Sequence, residues 1–414
     1  MRVAIVAGPD AGHAFPAFAL SEKLAAQQVR SIVWTGVRWH EVAGSRGLDV
    51  AELPDLQVRP DEDDEDAGAK LGARAARMAA TLAPILAVRG IDLVVSDVIT
   101  VAGLWAAELC GIPAIELSPH PLYAPSRGLP PIGAGLAPGR GFGGRLRDSG
   151  LRMASNVSVR AGERQRGAAR RGIGLPATPV TSVPRLIATL PALEVGRPDW
   201  PADAHLIGPL LWEPTEATVT PPAGEAPLVV VAPSTAAIGT ADMLTHTLAG
   251  LDELAARRPL RVVISALDPP PMHQRESPGL SVVAGLGRQD LLVRHADVVV
   301  CGGGHGMLAK SLSAGVPVVT VPGDGDQWEL ATRVARQGSG VAVRPVTAHA
   351  IAEAVASVLD DPGFSRAAAR AAESAIDVVD PVRIVHDVYQ RHVEGCVPGA
   401  SHGGRAAGGV PRCD

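Results

Sequence analysis

The chain has 414 residues, 46% of them apolar and 20% charged, which suits two core-bearing α/β domains and excludes a disordered chain. Its net charge of −5, with Lys only at 23, 70 and 310, leaves no broad basic field, so a nucleic-acid partner is not expected. Four cysteines, at 110, 301, 396 and 413, are too few and too irregularly spaced for a disulfide scaffold or a zinc site and suggest a reducing, cytoplasmic setting.

The N-terminal "MRVAIVAGPD" turns after a short apolar run and lacks a leader's apolar region, and no window is expected to reach the roughly 18 apolar residues of a membrane span. The runs "VAIVA", "SIVWT", "LDVAEL", "DLVVSD" and "AIEL" read as strands. They alternate with helical patterns in "AFPAFALSEKLAAQ", residues 67–88 and "VAGLWAAELCG", which predicts a doubly wound parallel sheet. The acidic run "DEDDED" at 61–66 reads as a solvated loop rather than a cation site. Residues 118–184 loosen into a Pro/Gly loop and an Arg-rich helix, long for a connection and of the kind that shapes a substrate pocket. From Pro209, "PLLWEPTEATVTPPAGEAP" has no period and reads as a linker.

The alternation then restarts with "LVVVAP", "RVVIS", "SVVAG", "DVVVC" and "VPVVTV", with helices near 240–257, 305–314, 326–337 and 347–359. The reading is two Rossmann-like doubly wound domains facing each other across a cleft. Residues 1–211 form the first domain, 212–226 the linker and 227–378 the second domain. A helix at 379–394 packs back on the first domain, and 395–414 is a tail expected to be disordered.

In "VVVCGGGHGMLAKSLSAGVPVV", Val298 to Val319, glycines sit where a strand turns into a helix. Backbone N–H groups can approach a phosphate there, at the helix's positive end; the plain alternative is that the glycines only permit a tight turn.

The wider segment from "GLGRQDLLVRHADVVVCGGGHG" to "VTVPGDGDQWELATRVARQGSG" resembles the donor signature of the UDP-glycosyltransferases, inverting GT-B enzymes that include macrolide and natural-product glycosyltransferases. "GPDAGHAFPAFALSEKL", "DLVVSDVITVAGLWAAELCGIPAIELSPH", "RGIGLP" and "HLIGPLLWEP" are similar to other parts of the same family, so the likeness spans most of residues 1–394. The resemblance implies a metal-independent transfer from a nucleotide sugar, UDP- or dTDP-linked, to a hydroxyl of a small apolar acceptor, with no further cofactor. The protein is expected to be a monomer or homodimer. A catalytically impaired binding protein of the same fold and a nucleotide-sugar epimerase are the alternatives.

By that resemblance His13 is the general base and Asp97 orients it; read alone, the two could equally line a loop and cap a helix. Asp326 and Gln327 match the clamp on the transferred sugar, Thr235 a phosphate contact, and Gln289 a nucleobase contact. The diphosphate is expected on the backbone of Gly303, Gly304, His305, Gly306 and Met307. Pro16, Leu122, Tyr123 and Phe142 are expected to border the acceptor. The chain departs from the family at Gly302, where a His usually meets the diphosphate, and at Met307, where a Thr is usual. It departs again at Lys310, where a Glu usually binds ribose, at Leu330, where an Asn is common, and at Leu286, where a Trp often stacks on the base.

Overall fold

The computed structural model describes residues 1–57, 66–234, 242–270 and 274–396. Two seven-stranded sheets follow one another along the chain. The first contains β1 (Arg2–Val6), β2 (Arg30–Thr35), β3 (Val50–Glu52), β4 (Leu93–Asp97), β5 (Ala114–Ser118), β6 (Arg185–Ile187) and β7 (Ala204–Leu206), ordered β3-β2-β1-β4-β5-β6-β7 and parallel throughout. The second contains β8 (Leu228–Ala232), β9 (Leu260–Ser265), β10 (Gln274–Ser277), β11 (Leu280–Gly285), β12 (Val298–Cys301), β13 (Val318–Thr320) and β14 (Gly340–Ala342), ordered β10-β11-β9-β8-β12-β13-β14. Its edge strand β10 runs antiparallel to β11, a departure from the all-parallel expectation. Only two residues join β10 to β11, too few for a parallel crossover.

Every residue of β4 and β8 is buried, because helices cover both faces and leave no polar alternation. The covering helices are α1 (Ala11–Ala26), α2 (His40–Ser45), α3 (Ala67–Val88), α4 (Ala102–Cys110), α5 (Gly141–Gly172), α6 (Met243–Ala255), α7 (Gln289–Leu292), α8 (His305–Ser313), α9 (Asp326–Gln337), α10 (Ala348–Asp360), α11 (Pro362–Glu373) and α12 (Pro381–Cys396).

Over Gly68–Val88, α3 is long and apolar enough by composition to cross a membrane, which corrects the expectation that no window would be. In the fold its Ala79, Leu82 and Leu86 are fully buried beside Trp34 and Trp105, so it serves here as a core helix. Asp66, the last residue of the acidic run, caps α3 by accepting from the Gly68 and Ala69 N–H groups; residues 61–65 lie outside the described residues. After β7 the chain crosses to β8 without a helix or strand, and Trp212 in this stretch packs on Phe15 and Phe18 of α1. At the end of the chain α12 returns to the first domain, placing Val382, Ile384, Val385 and Val388 in the core that holds β1 and α1.

Both strand orders reverse direction once, between β1 and β4 in the first sheet and between β8 and β12 in the second. Loops leaving neighbouring strands on opposite faces diverge at such a point and open a crevice beyond the strands' carboxyl ends. The paired ends are in register, Val6 beside Ser96 and Cys301 beside Ala232.

Candidate active site

The first crevice brings His13 and Asp97 together. Asp97 is the last residue of β4, and His13 lies in the first turn of α1, just beyond β1. His13 Nδ1 lies 2.7 Å from Asp97 Oδ1, and the side chains are 19% and 1% exposed. A carboxylate this buried needs partners; Asp97 Oδ2 also accepts from the backbone N–H and hydroxyl of Thr100, at 3.2 and 3.0 Å. With Nδ1 donating to the carboxylate, the imidazole keeps a lone pair on Nε2. Burial opposes its charged form, but the hydrogen bond and charge of Asp97, with Asp10 and Asp326 farther off, hold the His13 pKa above its ordinary value.

The second crevice holds the glycine turn. Gly303 has φ +79°, in the left-handed region that glycine tolerates, and Gly304 precedes the first helical residue, His305. Gly306 is exposed at the helix start, while Met307 is half-buried against the core that contains Leu308 and Leu312. Gly302 is crowded: a Cβ there would lie 2.8 Å from Ser234 Cβ. The His that the family places at this position has no room, so backbone N–H groups are what this turn offers an anion. Thr235 lies outside the described residues. A cavity of about 330 Å³ opens beside Ser234 between the domains, lined by Asp10 and Arg38 from one side and by Leu267 and Asp268 from the other. A larger hollow of about 650 Å³, between β7 and α12, contains none of these residues.

Asp326 opens α9 just after Gly325, at φ +67°, and its charge reaches His13, His120 and Tyr123 of the first domain. The helix is fastened across the cleft. Glu329 accepts from the Gly135 N–H at 3.0 Å, Arg333 donates to the Leu193 carbonyl at 2.9 Å, and Arg336 donates to the Gly135 carbonyl at 3.0 Å. His305 bonds Thr189 of the first domain through Nε2 at 2.9 Å, and burial pushes its pKa down to about 3, so the ring is neutral. Its imidazole therefore clamps the domains together, and the helix start offers an anion its backbone.

Several expected ligand contacts are already engaged inside the protein. Gln327 is buried, with its Oε1 accepting from the Gly323 N–H at 3.0 Å and its Nε2 donating to Ser234 at 3.1 Å. Gln289 accepts from Lys310 at 3.0 Å and donates to the Ser265 carbonyl at 3.2 Å. Lys310 also pairs with Glu213 of the linker at 2.5 Å, and that carboxylate accepts from the Gln289 and Asp290 N–H groups at the start of α7. The residues expected to border the acceptor lie in different settings. Pro16 is buried within α1, Leu122 packs with Ile187 and Ala204, and Phe142 is 85% exposed on α5. Tyr123 stays at the cleft, stacked on His120, a residue the sequence reading passed over.

Two Rossmann-like domains with their switch-point crevices turned toward each other are the GT-B architecture, and the comparisons agree. A model described as the erythromycin biosynthesis protein CIII-like C-terminal domain matches residues 276–390. The 4'-demethylrebeccamycin synthase of Lentzea aerocolonigenes is 30% identical over 312 residues, covering 70% of this chain and 72% of that protein. Among solved structures, the calicheamicin glycosyltransferase CalG4 superposes with a TM-score of 0.70 at 20% identity, covering 96% of this chain and 99% of that one. The Streptomyces sp. SF2575 glycosyltransferase SsfS6, complexed with thymidine diphosphate, superposes with a TM-score of 0.61 at 19% identity over 94% of this chain and 99% of that one. The chain belongs to the glycosyltransferases of natural-product biosynthesis.

Proposed function

We propose that the protein transfers a sugar from a nucleotide-sugar donor, UDP- or dTDP-linked, to a hydroxyl of a small apolar acceptor with inversion at the anomeric carbon. The observation that carries this reading is the His13–Asp97 pair at the first domain's switch point, within the electrostatic reach of Asp326 at the start of α9. An alcohol is a poor nucleophile at neutral pH, and His13 Nε2, free of the carboxylate, is placed to take its proton as the oxygen attacks. Asp97 then stabilises the imidazolium that forms. The diphosphate leaves toward the start of α8, where backbone N–H groups and the helix dipole take up the developing charge. Asp326 accepts from hydroxyls of the transferred sugar. Thymidine diphosphate in a structural neighbour supports the dTDP alternative.

A thermal-shift screen across nucleoside diphosphates and nucleotide sugars tests the donor half, since a ligand selective for the native state raises Tm. A rise with UDP, dTDP or their sugars is expected, and no rise with any of them contradicts the reading.

A further inference from the structure

The chain turns sharply after β5, through Pro119 and Pro121, and stacks His120 on Tyr123 with ring centroids 4.2 Å apart and planes 15° from parallel. His120 Nδ1 lies 2.8 Å from the Pro121 carbonyl. A carbonyl only accepts, so the proton sits on Nδ1 and Nε2 keeps its lone pair. Burial disfavours the charged ring and lowers its pKa, which keeps the acceptor available. Tyr123 Oη is buried without a hydrogen-bond partner among the described residues. A phenol desolvated in that way is costly and calls for a reason. The groups acting on it are Asp326, Arg333 and Glu329 of α9, with Glu194 of the first domain. The pair follows β5, whose Leu117 lies beside Asp97, the partner of His13, and Leu122, between the two rings in sequence, donates its N–H to Glu194, which pairs with Arg333 of α9, so the stack lies between the base and α9.

Resting on the reading above, we propose that His120 and Tyr123 form the first domain's half of the sugar subsite. His120 Nε2 accepts from one hydroxyl of the transferred sugar and Tyr123 Oη bonds a second, across from Asp326. Sugar preference is then set by both domains, and the stack makes the wall rigid, with two polar atoms at fixed spacing.

The test uses the full chain and four proteins: wild type, Tyr123→Phe, His120→Gln and His120→Asn. Calorimetry with UDP-glucose and dTDP-glucose is compared with UDP and dTDP, alongside Tm. Tyr123→Phe should weaken nucleotide-sugar binding about five- to tenfold, leave the bare diphosphates unchanged and keep or raise Tm, since it removes an unpaired buried hydroxyl. His120→Gln, whose amide reaches the Nε2 position, should stay within about threefold of wild type, while His120→Asn, which reaches only the Nδ1 position, should lose about tenfold. The reverse ranking of the two His120 variants assigns that ring to loop structure and overturns the proposal. A Tyr123→Phe protein with lower Tm and unchanged sugar affinity does the same. A loss confined to the KM of an acceptor such as 4-methylumbelliferone gives the pair to the acceptor and also overturns it. A wild type that binds neither nucleotide sugar refutes the donor reading itself, a result distinct from variant-specific losses.

Discussion

Replacing Asp97 by Asn tests the dyad while changing little shape. Asp97 Oδ1 faces His13 Nδ1, and Oδ2 faces two Thr100 donors. An amide satisfies only one side. With Nδ2 toward Thr100, two donors meet a third and the buried backbone N–H loses its acceptor. With Nδ2 toward His13, Nδ1 must accept, the proton moves to Nε2, and the base is blocked. Either way the charge-assisted bond to the imidazolium is lost, a contribution of about 1.5–3 kcal/mol, so kcat/KM should fall about 10- to 150-fold. The sign of the pH effect follows from the raised His13 pKa. The base works deprotonated, so activity climbs as pH passes through that pKa; without Asp97 the opposing effect of burial remains and the acid limb moves to lower pH. In stability the same group acts oppositely. Its contribution is full below the unfolded His value of about 6.5 and fades as pH rises through the higher folded value, so the variant should lose most Tm in mild acid. The assay is a kcat/KM–pH profile of both proteins with one acceptor, with Tm measured at several pH values. Near wild-type kcat/KM with an unmoved acid limb would refute the assigned orientation of His13.

His13→Ala should lower kcat by about two to four powers of ten with donor Kd unchanged, read by initial rates and calorimetry. Asp326→Ala should weaken the nucleotide sugar and spare the bare diphosphate in the same titration; equal weakening would make the residue a helix-start determinant only. Gly302→His should lower Tm without improving diphosphate affinity, because its Cβ meets Ser234 at 2.8 Å. Lys310→Met should cost about 1.5–3 kcal/mol in denaturant melts, the scale of a hydrogen bond to a charged group, because Glu213, whose side chain is 7% exposed, loses its counter-charge but keeps the Gln289 and Asp290 N–H donors.

The long apolar strands were legible because central strands covered on both faces read as continuous Val/Ile/Leu runs, as in "LVVVA" of β8 and "VVVC" of β12. The three-residue strands β6, β7 and β14 carry no such signal, and they form by pairing with neighbours that already exist. The Ala/Arg-rich α11 was also passed over, although Asp361 and Pro362 mark its start. His13 and Asp97 were legible only through a motif likeness, since 84 residues separate them and the β1–β4 register joins them. Lys310 showed as an anomaly in sequence; its partner Glu213 belongs to a linker whose path no periodicity reveals. Crowding at Gly302 comes from Ser234, and the reach of Asp326 to His120 and Tyr123 from domain docking, so local patterns contain neither.

The central claim is a single in-line displacement by a hydroxyl that His13 deprotonates, and the anomeric configuration of the product tests it most directly. With an α-linked nucleotide sugar selected by the thermal-shift screen, the first-formed glycoside should be β-linked by the proton coupling at its anomeric carbon, and formation should stop in His13→Ala. An α-linked product would contradict the account.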